Sequence, residues 1–83
     1  MNHKVAKVEA LENLNLKVTF KCETVKIYDV KQLFKEWEPY NRLKDYNLFK
    51  KVRRNRYGHY IYWNNILDIP SEWLWEDGKT IGE

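Results

Sequence analysis

Leu14, Leu16, Val18 and Phe20 alternate strictly with Asn15, Lys17, Thr19 and Lys21. A period of two over eight positions predicts a strand with one buried face. Upstream, Val5 and the stretch from Val8 to Leu11 predict a first strand. Val5 and Val8 differ in parity, so this strand needs a bulge or a late start to put both on one face. Glu12-Asn13 then serves as the hairpin connection. Downstream, Val25 and Ile27 alternate with Lys26 and Tyr28, a third strand reached through a tight turn at Cys22-Glu23. Three consecutive short strands pair most economically in antiparallel order.

The period changes after Asp29. Asp29 is placed as an N-cap with Gln32 three residues on, in capping-box spacing. Leu33, Phe34 and Trp37 fall on one side of the short helix this predicts, and Pro39 either ends that helix or starts the next turn. Asp45 is a second N-cap, and Leu48, Phe49 and Val52 form an apolar stripe on one to two turns. Gly58 marks a turn. Tyr60 to Trp63 reads as a strand with Ile61 and Trp63 on one face and Tyr60 and Tyr62 on the other. Asn64-Asn65 turns the chain, and Ile66 to Ile69 returns as a strand. Pro70-Ser71 opens a last helical turn carrying Trp73, Leu74 and Trp75. The expected architecture is α+β, an antiparallel sheet of four to five short strands with two to three short helices. One domain spans 4–76, and 77–83, with Gly78 and Gly82, is a loose tail.

Composition sharpens this. The chain has 83 residues, and one so short builds a thin core. Four Trp, six Tyr and three Phe compensate with bulk. The single cysteine, Cys22, excludes an internal disulfide and fits a reducing cytoplasm. The N-terminal ten residues have no apolar signal-peptide core, and no run approaches a membrane span. The expectation is therefore a cytoplasmic protein with no membrane partner.

The net charge of +3 is unevenly spread. Residues 42–56 carry Arg42, Lys44, Lys50, Lys51, Arg53, Arg54 and Arg56 against Asp45 alone. Residues 68–83 carry Asp68, Glu72, Glu76, Asp77 and Glu83 against Lys79. Either the acidic segment folds back on the basic one, or the two meet different partners.

The order of these pieces resembles the bacterial domain-of-unknown-function family 2442. The resemblance rests on residues 16–20 (LKVTF), 25–30 (VKIYDV), 43–45 (LKD), 48–53 (LFKKVR), 61–63 (IYW), Asn65, 68–70 (DIP) and Leu74. The chain departs from the family at Cys22-Glu23, where an Asn-Gly turn is usual, and at residues 64–66 (NNI), where Pro-Asn-Gly is usual. The departures imply different turns. The resemblance implies a small α+β domain without established catalytic residues. Family members often sit beside toxin-like partners or are joined to DNA-binding segments, so it implies a partner-binding or regulatory module.

Candidate chemistry narrows the same way. His3, Cys22 and His59 are scattered and lack metal-ligand spacing. Nothing local pairs Cys22 with a base, and three glycines build no phosphate loop. The sequence thus predicts no enzyme, no metal and no cofactor. What stands out is residues 50–56 (KKVRRNR) running into 57–63 (YGHYIYW). Cations beside rings suit nucleic acid. Tyr60, Ile61 and Trp63 fall in register with the RNA-recognition strand motif, but Tyr57-Gly58-His59 do not match its glycines and first aromatic. Tyr, Trp and Arg are also the residues most enriched at protein hot spots. The candidate contact residues are Arg53, Arg54, Arg56, Tyr57, Tyr60 and Tyr62, with Trp37 and Tyr40 around Pro39. The expected function is a non-enzymatic module that binds a protein: an antitoxin-like or regulatory half of an operon, or a mobile-element inhibitor of a host enzyme. Non-specific RNA or DNA binding is the alternative, and open sheet edges allow a homodimer.

Overall fold

A computed structural model describes residues 3–81. Three strands follow one another as antiparallel hairpins: β1 (Val5–Ala10), β2 (Asn15–Phe20) and β3 (Val25–Asp29). Leu16, Val18 and Phe20 are buried, as their alternation predicts. The parity conflict in β1 is resolved by a register shift between Val5 and Lys7, so that Val5 faces Phe20, and Val8 faces Val18. One extra residue in the bulge returns both valines to the core side.

Both hairpin turns use left-handed backbone at non-glycine residues. Asn13 (φ 61°) and Leu14 (φ 58°) close the first. In the second, the Phe20 carbonyl accepts from Glu23 N–H at 2.8 Å, and Glu23 sits at φ 75°. The turn at Cys22-Glu23 is therefore a three-residue loop, Lys21 to Glu23, with Glu23 where glycine is usual.

β3 presents its apolar pair outward. Leu16 pairs with Tyr28 and Val18 with Lys26, so Tyr28 enters the core while Ile27 lies opposite Lys17 on the outer face. Directly paired residues share a face, and alternation alone does not say which face is buried. Lys26 leaves the core edge by donating to the Trp75 carbonyl, its ammonium 4.2 Å from the Trp75 ring.

The expected first helix is a pair of 3-10 segments, Val30–Leu33 and Glu38–Lys44. Asp29 caps the first through its carboxylate, which accepts from Lys31 N–H at 2.9 Å. The Gln32 side chain donates to the Asp29 carbonyl rather than completing a capping box. Of the two roles open to Pro39 it takes the second, lying in the first turn of the second segment, where its missing N–H costs nothing. Asp45 caps α1 (Tyr46–Phe49), accepting from Asn47 N–H at 3.0 Å.

A second antiparallel sheet follows: β4 (Arg53–Arg54), β5 (Tyr60–Tyr62) and β6 (Asp68–Pro70), in the order β4-β5-β6. α2 (Ser71–Asp77) leads to β7 (Lys79–Thr80), which pairs with β3 and completes the first sheet as β1-β2-β3-β7. The fold is α+β, and the described residues form seven strands in two sheets where one sheet was expected. β4 and β7 have two residues each, too few to leave a periodic trace. The tail expected from Asp77 is likewise corrected: Asp77 closes α2 and Lys79–Thr80 are hydrogen-bonded strand. Gly82 and Glu83 lie outside the described residues.

One core joins the two sheets. Val5, Leu16, Val18, Tyr28, Leu43, Phe49, Ile61, Ile69 and Leu74 are fully enclosed within it. The loop between β4 and β5 docks on β1 backbone to backbone: the Gly58 carbonyl accepts from Val5 N–H at 2.8 Å. Gly58 has φ +81°, and a Cβ there would lie 2.4 Å from the Val5 oxygen.

Candidate partner-binding site

The basic run folds as a helix end, a turn and an edge strand. Lys50 caps the C-terminus of α1, where a cation is favoured by the exposed carbonyls. The chain bends through Lys51 and Val52 and pairs Arg53 with Tyr62 and Arg54 with Ile61. Successive strand residues face opposite ways. Arg53 therefore shares the outer face with Tyr62 and Tyr60, while Arg54 starts on the core side at the sheet edge. Arg54 bends out of that position, Nη1 donating to the carbonyls of Asn55 (3.3 Å) and Arg56 (3.1 Å).

A cleft of about 680 Å³ opens between the helix end and β5, lined by Lys50, Lys51, Val52, Arg53, Tyr62 and Trp63. Its width is set by a buried hydrogen bond: the Trp63 indole N–H donates to the Phe49 carbonyl at 2.8 Å. That bond ties the last residue of α1 to the end of β5. Trp63 also lies along Phe49, ring centroids 6.2 Å apart at 26°. Val52 and the exposed part of Trp63 give the cleft an apolar floor beneath three cations. Among the described residues no carboxylate lines it. The ion pairs among the described residues, Lys7–Glu9 and Lys31–Asp29, lie elsewhere. Asp68 pairs with Tyr62 from the opposite side, placing one carboxylate across the ring from Arg53 without an ion pair.

The structure thus brings together only part of the expected set. Arg53 and Tyr62 line the cleft, and Tyr60 (38% exposed) stands beside Tyr62 with ring centroids 6.0 Å apart at 59°. Arg56 and Tyr57 form a separate group in the docked loop, the guanidinium 5.6 Å from the ring. Trp37, 45% exposed, stacks on Trp73 at 5.2 Å in a different patch. Tyr40 is corrected as a contact residue: it is 9% exposed, and its hydroxyl donates to the Asp68 carbonyl at 2.5 Å. Lys50 and Lys51, part of the basic run but not among the expected contact residues, also line the cleft. The signal that marks them is their position just past the last apolar residue of α1, where the chain must turn.

None of the described residues of the acidic segment lines this cleft. Asp77 lines a smaller cleft of about 350 Å³ with Asn15, Ile27, Asp29, Gln32 and Lys79, on the first sheet.

Burial shapes the titration of two tyrosines. Desolvation, with the charges of Asp77, Tyr40 and Asp29 behind it, holds the Tyr28 hydroxyl protonated well above its usual range. Desolvation and Asp68 raise Tyr40. Cys22 is exposed in its turn, and hydrogen bonding to Thr24 lowers its pKa. Among the described residues no three His, Cys, Asp or Glu side chains converge as a metal site requires. No helix among the described residues is long and apolar enough to cross a membrane. Comparison of the chain with protein-family models, curated proteins and solved structures gives no match.

Proposed function

We propose that this chain is a non-enzymatic binding module whose partner is a protein. The observation that carries the reading is the uncovered cleft: three cations without carboxylate partners among the described residues, beside tyrosine and tryptophan, with Asp77 of the acidic helix lining a different cleft. Uncompensated like charges held together by a fold cost it stability, and they attract a surface of opposite sign. A standard interface takes about 800 Å² per partner, roughly a seventh of the 5606 Å² surface. The resemblance to family 2442 points the same way, toward a regulatory or antitoxin-like module.

Nucleic acid fits the same cations less well, because of the rings. Sequence-tolerant binding of a single strand needs exposed aromatic faces in series. Here Trp63 is buried against Phe49, and Tyr60 and Tyr62 are inclined at 59° to each other. α1 has four residues, too short to enter a major groove as a recognition helix.

The test is recovery of tagged protein from a lysate, with and without nuclease, at two salt concentrations. A discrete protein partner retained after nuclease and at moderate salt is the expected result. Recovery of RNA or DNA alone, lost steeply with salt, would sink the proposal.

A further inference from the structure

Resting on that reading, we infer that the cleft between α1 and β5 is the recognition pocket, and that its occupant is an acidic peptide segment with an apolar residue between its carboxylates. The pocket has two chemistries that a single ligand must satisfy together. Lys50, Lys51 and Arg53 supply positive charge on the helix side and at the edge strand, and Val52, Tyr62 and Trp63 supply apolar floor and wall. A bare inorganic anion satisfies the first and leaves the second in water. A neutral apolar segment does the reverse, and leaves three cations beside a desolvated surface. An acidic stretch interrupted by one leucine or phenylalanine satisfies both. The volume of about 680 Å³ lies within the span of ligand-sized clefts, about 300–1,000 Å³.

The pocket is also preorganised. The helix end cannot drift from the strand without breaking the Trp63–Phe49 bond, which is buried. The Arg53 backbone is held by pairing with Tyr62. Ordering cost on binding then falls mainly on the three cationic side chains. Arg54 and Arg56 are outside the pocket, Arg54 being bonded along its own loop. They form an internal control, being cations equally close in sequence and absent from the cleft lining.

The test is an NMR titration of the intact isotope-labelled chain with a short synthetic peptide in which glutamates flank one phenylalanine. The readouts are the amides of residues 50–53 and the indole N–H of Trp63. Saturable shifts at these positions are expected. Substituting glutamine for glutamate in the peptide should weaken binding at least ~10-fold, and K50E/K51E/R53E should weaken it roughly 10- to 100-fold. Reversal at Arg54 and Arg56 should change affinity less than ~3-fold. The unfolding midpoint of K50E/K51E/R53E should stay within about 8 °C of the parent, because these side chains are exposed and only the charge at the α1 C-terminus is lost. Equal affinity for the glutamine peptide would overturn the inference. So would full occupancy of the site by inorganic phosphate, tighter binding of a single-stranded oligonucleotide at the same amides, or self-association that the triple reversal abolishes. A lysate partner retained undiminished by K50E/K51E/R53E would reject the pocket while leaving protein binding intact. Absence of any such partner would reject protein binding, and the peptide titration would still judge the pocket.

Discussion

Replacing Gly58 by alanine tests how the loop carrying Arg56 and Tyr57 is fixed to the fold. Gly58 lies at φ +81°, and an added Cβ would stand 2.4 Å from the Val5 oxygen and 2.8 Å from the Val5 nitrogen. Both are backbone atoms in β1, so no flexible side chain can yield. The left-handed conformation costs a residue with a Cβ about 1–2 kcal/mol. Moving the loop away breaks the bond from Val5 N–H to the Gly58 carbonyl, and leaving a buried donor unpaired costs about 1–3 kcal/mol. The expected loss is about 3 kcal/mol. A chain of 83 residues has roughly 4–12 kcal/mol in total, so this is a large fraction. The midpoint of thermal unfolding should fall by about 12–24 °C. Far-UV circular dichroism with urea and heat measures both quantities. Tyr57→Ala is the control: its ring is exposed in the same loop, and it should cost less than ~1 kcal/mol. A loss below ~1 kcal/mol for Gly58→Ala would show that the loop is not seated on β1, and the placement of Arg56 and Tyr57 would fall with it.

Glu23→Gly should raise stability by about 0.5–1 kcal/mol, because Glu23 occupies φ 75° in the β2–β3 turn. A urea midpoint at or below that of the parent would contradict the turn. Stability should also decline at high pH. Tyr28 stays protonated in the fold above the ordinary value near 10, so the unfolded chain loses its proton first. Its contribution is complete below about pH 10 and is lost above it, at about 1.4 kcal/mol per pH unit. Urea midpoints from about pH 8 to pH 11 should fall in the parent and less in Tyr28→Phe. Equal slopes in the two proteins would mean that Tyr28 is not the group responsible.

The sequence was most legible where one rule acted alone. The alternation in residues 14–21 gave a strand with the right buried face, since only one face was apolar. The parity mismatch between Val5 and Val8 required a bulge, and one is present. Asp29 and Asp45 cap the segments they precede. Legibility failed where two arrangements satisfied the same local pattern. The alternation of Val25 and Ile27 with Lys26 and Tyr28 left the buried face of β3 open, and the pairing of Tyr28 with Leu16 decides it. Tyr40 looked like a contact residue beside Pro39. Its hydroxyl is taken up by the Asp68 carbonyl, a partner far along the chain.

The candidate site shows the same division. By itself the sequence determined that seven cations and a run of aromatic residues lie together between residues 42 and 63, and that an acidic segment follows. Composition and short-range periodicity are local properties, and they survive any change of tertiary arrangement. Tertiary structure alone decided which cations share a surface. The pairing of β4 with β5 sends Arg53 and Arg54 to opposite faces, and the Trp63–Phe49 bond sets Lys50 and Lys51 across a cleft from Tyr62. The pairing of β7 with β3 holds Asp77 away from that cleft, on the other sheet. Each of these depends on a contact between residues distant in the chain, and no window of neighbouring residues contains the information.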